Sequence, residues 1–170
     1  MNKKNFAIVL LLSIAMVNKV QSMDFNNHQI ADEQAQILAM QQAQQLQPEL
    51  TALLTTFQEI VNNPPIDQGA ALEHITSLLN RIEEIQLQNQ LLFQQVVGLM
   101  SPAITSGDNS PLILAVQMNM EDVVGFIVSN NAFRNLQGAM ECIGQALELA
   151  RTQQNQNQNT INTLEEAMWF

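Results

Sequence analysis

The sequence predicts an all-α protein. The good helix formers Gln, Leu, Ala, Glu and Met are abundant in its 170 residues, while Tyr is absent and Gly and Pro are few. Apolar residues recur at three- and four-residue spacing, and no stretch alternates in the two-residue period of a strand. The few prolines stand where such runs begin or stop, dividing the chain into segments of helical length.

The first segment differs from the rest. Lys3 and Lys4 precede a nearly unbroken apolar run from Phe6 to Val17, and Val20-Gln21-Ser22 follows. This order is that of a secretory signal peptide spanning 1–22, with cleavage before Met23. The apolar run is shorter than the about 20 residues a membrane span needs. The expected location is therefore the periplasm or the exterior, and 23–170 is expected to fold as one helical domain. Removing Lys3, Lys4 and Lys19 leaves Arg81, Arg134 and Arg151 facing sixteen acidic residues, a formal charge of −13. A chain so acidic repels phosphate backbones and anionic lipid, which argues against nucleic-acid and peripheral membrane binding and favours a basic protein partner.

A helix is expected from Gln29 to Gln47, with Ile30, Ile37, Leu38 and Met40 as a modest apolar face. Pro48 is expected to end it or open the next, Glu49–Val61, in which Leu50, Leu53, Leu54, Phe57, Ile60 and Val61 form a strong amphipathic stripe. Asn62-Asn63-Pro64-Pro65 is a stop. A long helix is then expected from Asp67 to Met100. In it Ile75, Leu78, Ile82, Ile85, Asn89, Leu92, Val96 and Leu99 alternate by three and four, forming a heptad seam. Three of its first-position residues are Ile or Val, and Asn89 is the remaining one. This is the pattern by which a buried Asn sets register in a paired coiled coil, and it leaves a homo-oligomeric structural protein of the envelope as an alternative. Leu79, Leu87, Leu91, Phe93 and Val97 widen the stripe toward a buried bundle helix. Ser101-Pro102 is expected to break the helix.

The most informative stretch follows the turn Ser106-Gly107-Asp108-Asn109. Ser110 is a good N-cap, and Pro111 suits the first helical position. Leu112, Leu114, Ala115 and Val116 are apolar, and Asn119 suits a left-handed turn. Glu121 and Asp122 favour the start of a second helix carrying Val123, Val124, Phe126, Ile127 and Val128. Ser110-Pro-Leu-Ile-Leu-Ala115, the turn at Asn119 and the close at Asn130-Asn131-Ala132 resemble one ankyrin repeat over about residues 107–135, Ser110 standing for its Thr and Ile113 for its His. Leu147, Leu149 and Ala150, then Ile161 and Leu164, resemble a degenerate second repeat that lacks the Thr-Pro step. The resemblance implies a stack of paired short helices over 107–170, capped by a helical bundle over 23–106, and a protein-binding role without enzymatic activity. It places the contact residues at the turn tips and inner helices: Asp108, Asn109, Gln117, Asn119, Phe133, Arg134 and Asn135.

Catalytic, cofactor and metal motifs are not found in the sequence. His28 and His74 lie on separate segments, and no Gly-rich phosphate loop, G-x-S-x-G, H-E-x-x-H or C-x-x-C occurs. No cofactor is expected. Cys142, the single cysteine, reads as a small buried residue. The Gln/Asn tract 153–159 reads as a loop, and Trp169-Phe170 as an apolar plug docked on the last helices.

Overall fold

A computed structural model describes the backbone of residues 3–63, 65–153 and 157–169, with side chains from Ile30 onward. Its elements are α1 (Lys3–Asn62), α2 (Gln68–Gln88), α3 (Gln90–Thr105), α4 (Pro111–Gln117), α5 (Glu121–Ser129), α6 (Asn131–Arg134), α7 (Ala139–Thr152) and α8 (Gln158–Trp169). The fold is all-α, with no strand among the described residues. Contacts divide the chain into two units, residues 1–39 and 40–170. Among the described residues no helix is long and apolar enough to cross a membrane.

Of the expected apolar face of 29–47, Ile30, Ile37, Leu38 and Met40 are exposed, while Ala39, on the same face, is buried. The expected signal peptide and its cut before Met23 fall on side chains outside the described residues.

The second unit begins within α1. Leu50, Leu54, Phe57 and Val61 repeat by four, three and four, and all are buried in the common core. Pro48 does not end the helix as expected but lies inside it. Proline deletes one helical hydrogen bond. Its exposed position leaves the freed carbonyl to water rather than to the core. Asn63 closes α1 by donating from Nδ2 to the Glu59 carbonyl at 2.8 Å. Asp67 opens α2 by accepting from Ala70 N at 3.0 Å.

The single helix expected over Asp67–Met100 is two helices. Asn89 adopts extended backbone at φ −155° and ψ 106°. Its N–H donates to the Ile85 carbonyl and ends α2, while its Oδ1 accepts from Leu91 N and Leu92 N and starts α3. A short amide side chain competes with the helical backbone in this way, so the residue placed in a core seam is a cap. Asn89→Ala is expected to cost about 0.5–2 kcal/mol in urea unfolding, and Asn89→Asp to retain most of the stability. An unchanged midpoint for Asn89→Ala would contradict the capping role. The expected break at Ser101-Pro102 is also absent, since α3 continues to Thr105.

Beyond α3, Ser110 accepts from Ile113 N at 3.3 Å, and Pro111 to Val116 are all buried. Asn119 turns the chain in the left-handed region at φ 55°. Packing follows a regular scheme: α4 lies against α5 and α7, α5 against α8, and α7 against α8. Helix α2 packs on α5 and α6, and α3 on α4 and α7. Ser101 and Thr105 of α3 hold the connection before α7, where Gln137 N donates to Ser101 Oγ at 3.1 Å and Thr105 Oγ1 donates to the Gln137 carbonyl at 2.8 Å. Gly138, at φ +83°, permits this approach; a Cβ there would stand 3.0 Å from Thr105 Oγ1.

Candidate interaction surface

The two helix pairs α4–α5 and α7–α8 lie side by side in the same sense. At the start of the inner helices, Ser110 Oγ stands 3.5 Å from Cys142 Sγ. At their ends, Gln153 Nε2 donates to the Val116 carbonyl at 3.2 Å. Asn157 Nδ2 reaches Asn119 Oδ1 at 3.1 Å and Glu121 Oε2 at 3.3 Å. Gln153 therefore reaches the end of α4, and Asn157 the turn after it and the start of α5. These links join residues 32 to 38 positions apart.

One edge of the pairs carries the exposed Gln117, Met118, Asn119, Glu121 and Asp122. Asp108 and Asn109 are exposed at the opposite end of α4, where Gln58 Nε2 donates to the Asn109 carbonyl at 2.8 Å. A seven-residue helix is about 10 Å long, so the two groups form separate edges rather than one site. Of the third expected group only Asn135 sits on a turn. Phe133 and Arg134 belong to α6, which is capped by Asn130. Phe133 is 0% exposed and leaves the set of contact residues, because its ring is part of the core. Arg134 donates from Nε to the Val128 carbonyl at 2.7 Å, and Asn135 Nδ2 lies 3.4 Å from Gln86 Oε1.

The heptad seam is largely interior. Ile75, Leu78 and Ile82 are 0% exposed, Ile85 and Val96 nearly so, and Leu92 is half-buried; Leu99 alone among its apolar residues is exposed. Its buried members pack within the chain's own core.

Electrostatics leave the surface negative. Arg81 is held by Glu49 at 3.1 Å and Glu84 at 3.0 Å. The Glu84 hydrogen bond, with Glu49 beside it, raises its pKa against the opposing effect of burial. Arg151 pairs with Glu165 at 2.6 Å. Cys142 is buried, and burial pushes its thiol pKa up despite the Ser110 contact. Of the expected plug Trp169-Phe170, Trp169 is 86% exposed and so is not docked, while Phe170 lies outside the described residues.

Sequence reasoning missed Gln153 and Asn157, which tie the two pairs together. Their signal was a Gln/Asn tract at the end of an apolar helix, indistinguishable from an idle loop. No family model, no curated protein and no solved structure matches this chain.

Proposed function

We propose that this chain is an exported, non-enzymatic protein-binding module of ankyrin-like type, acting through the edges of its paired short helices. The reading is supported by one observation above all. Two successive helix–turn–helix pairs meet start to start and end to end, through residues 32 to 38 positions apart, near the about 33-residue ankyrin period. Stacking of this kind leaves turn tips and inner-helix ends as a contact surface. The short helix α6 between the pairs departs from the family pattern, as does the missing Thr-Pro step before α7. The excess of carboxylates suits a basic partner.

The test is quantitative capture from envelope extract by the exported protein. Gln117→Ala with Asp122→Ala is expected to weaken capture about tenfold without moving the unfolding midpoint. Capture unaffected by that pair and by Asp108→Ala would reject the surface. The export reading is checked by intact mass, for which a secreted species retaining residues 1–22 is the adverse result.

A further inference from the structure

Beyond Lys19 the chain offers an endopeptidase specific for basic residues only the bonds after Arg81, Arg134 and Arg151. Such an enzyme must draw the residues on both sides of the bond out of the fold. Susceptibility therefore follows what those residues lose by leaving. Arg81 lies inside α2, with Leu78, Leu79, Ile82 and Ile85 buried around it. Arg134 lies in α6 between the buried Phe133 and Leu136, and its Nε donates to the Val128 carbonyl. Opening either site takes apart the core. Arg151 differs: it stands in the last turn of α7, one residue before the end. From Glu148 to Gln153 only Ala150 is buried. The last carbonyls of a helix have no partner within it, and helix ends fray. Arg151 pairs with Glu165 through side chains 55% and 42% exposed, and so exposed an ion pair holds the segment weakly. Gln153 adds one hydrogen bond to the Val116 carbonyl, which opening must break.

We propose that Arg151–Thr152 is a processing site for an arginine-specific endopeptidase of the trypsin class, and that the cut detaches α8. The C–N bond between Arg151 and Thr152 breaks, and water adds across it, its oxygen to the Arg151 carbonyl carbon and a proton to the Thr152 nitrogen. Residues 152–170 then carry α8, seated through Ile161, Leu164 and Ala167 against α5 and α7, without a covalent link. While tethered, α8 meets its seat at an effective concentration of millimolar order. Once cut, it is a separate peptide with Glu165, Glu166 and no basic residue, too short to hold its helix alone. Its departure uncovers the sides of α5 and α7 on which it lay. Neither Arg151 nor Thr152 belongs to the helix-pair edges, so the site stands whether or not those edges bind a partner.

The lack of lysine beyond Lys19 makes the test selective. Arg81→Lys, Arg134→Lys and Arg151→Lys each give a lysine-specific endopeptidase one bond in the folded helices after that point. The full-length variants are digested under native conditions and followed by intact mass, with any cut at Lys3, Lys4 or Lys19 counted separately. Arg151→Lys is expected to be cut at least about tenfold faster than the other two, because cleavage tracks the population of the locally opened form. Trypsin acting on the wild-type chain is expected to release 152–170 first. Comparable rates in the three variants, or a first cut after Arg81 or Arg134, would overturn the site. At about 1 µM, far below the tethered concentration, the nicked chain is expected to part from 152–170 on gel filtration. Co-elution of the two pieces would overturn the detachment.

Discussion

Phe133→Ala is expected to destabilise the protein by about 3–5 kcal/mol, near the upper end for a core truncation. Phe133 is 0% exposed and sits in a four-residue helix that packs on α2, α5 and α7. A helix so short has no stability of its own; the buried ring is what fixes it in place. Losing it leaves a cavity bordered by several elements, which cannot all collapse inward together. The neighbouring Asn135→Ala, on an exposed side chain, is expected to stay within about 0.5 kcal/mol. Denaturant unfolding of the two variants checks both values. A Phe133→Ala midpoint close to wild type would mean that the ring faces solvent and belongs with the contact residues after all.

That residue marks a limit of reading from sequence. Phe133-Arg134-Asn135 has the composition of a turn, and nothing local states that Asn130 will cap a further helical turn and roll the ring inward. Asn89 is a second instance. The three–four alternation from Ile75 to Leu99 runs straight through it, because a capping Asn and a core Asn occupy the same place in a pattern. Only the backbone, extended at Asn89, separates them. Pro48 is the converse case. A residue that normally stops helices is tolerated where its cost falls on the solvent side. What was legible carried its own short-range chemistry. Ser110-Pro111 starts α4, Asn119 takes the left-handed turn, and Glu121-Asp122 opens α5. The buried stripe Leu50, Leu54, Phe57 and Val61 was legible from spacing alone. The two separate edges of the candidate surface were not, because their separation depends on how long α4 is and which way it runs.

Ile82→Ala carries the second large expectation, a loss of about 2–5 kcal/mol with a midpoint that does not depend on protein concentration. Ile82 lies at the centre of the heptad seam and is 0% exposed within a single chain. Its side chain packs in the core shared by α1, α2 and the paired helices. Truncating it therefore removes contacts made within one molecule. If the seam instead joined two copies, dissociation would be coupled to unfolding, and the wild-type midpoint would rise on going from about 1 to 100 µM protein. Leu99→Ala provides the contrast. At 38% exposure it has less to lose, and the expected cost is below about 1 kcal/mol. A seam serving as an interface would reverse the expectation for the exposed position, because Leu99 would then be buried in the dimer. The ratio of the two losses, measured at two concentrations, thus separates an internal helix from an assembly surface whatever the partner.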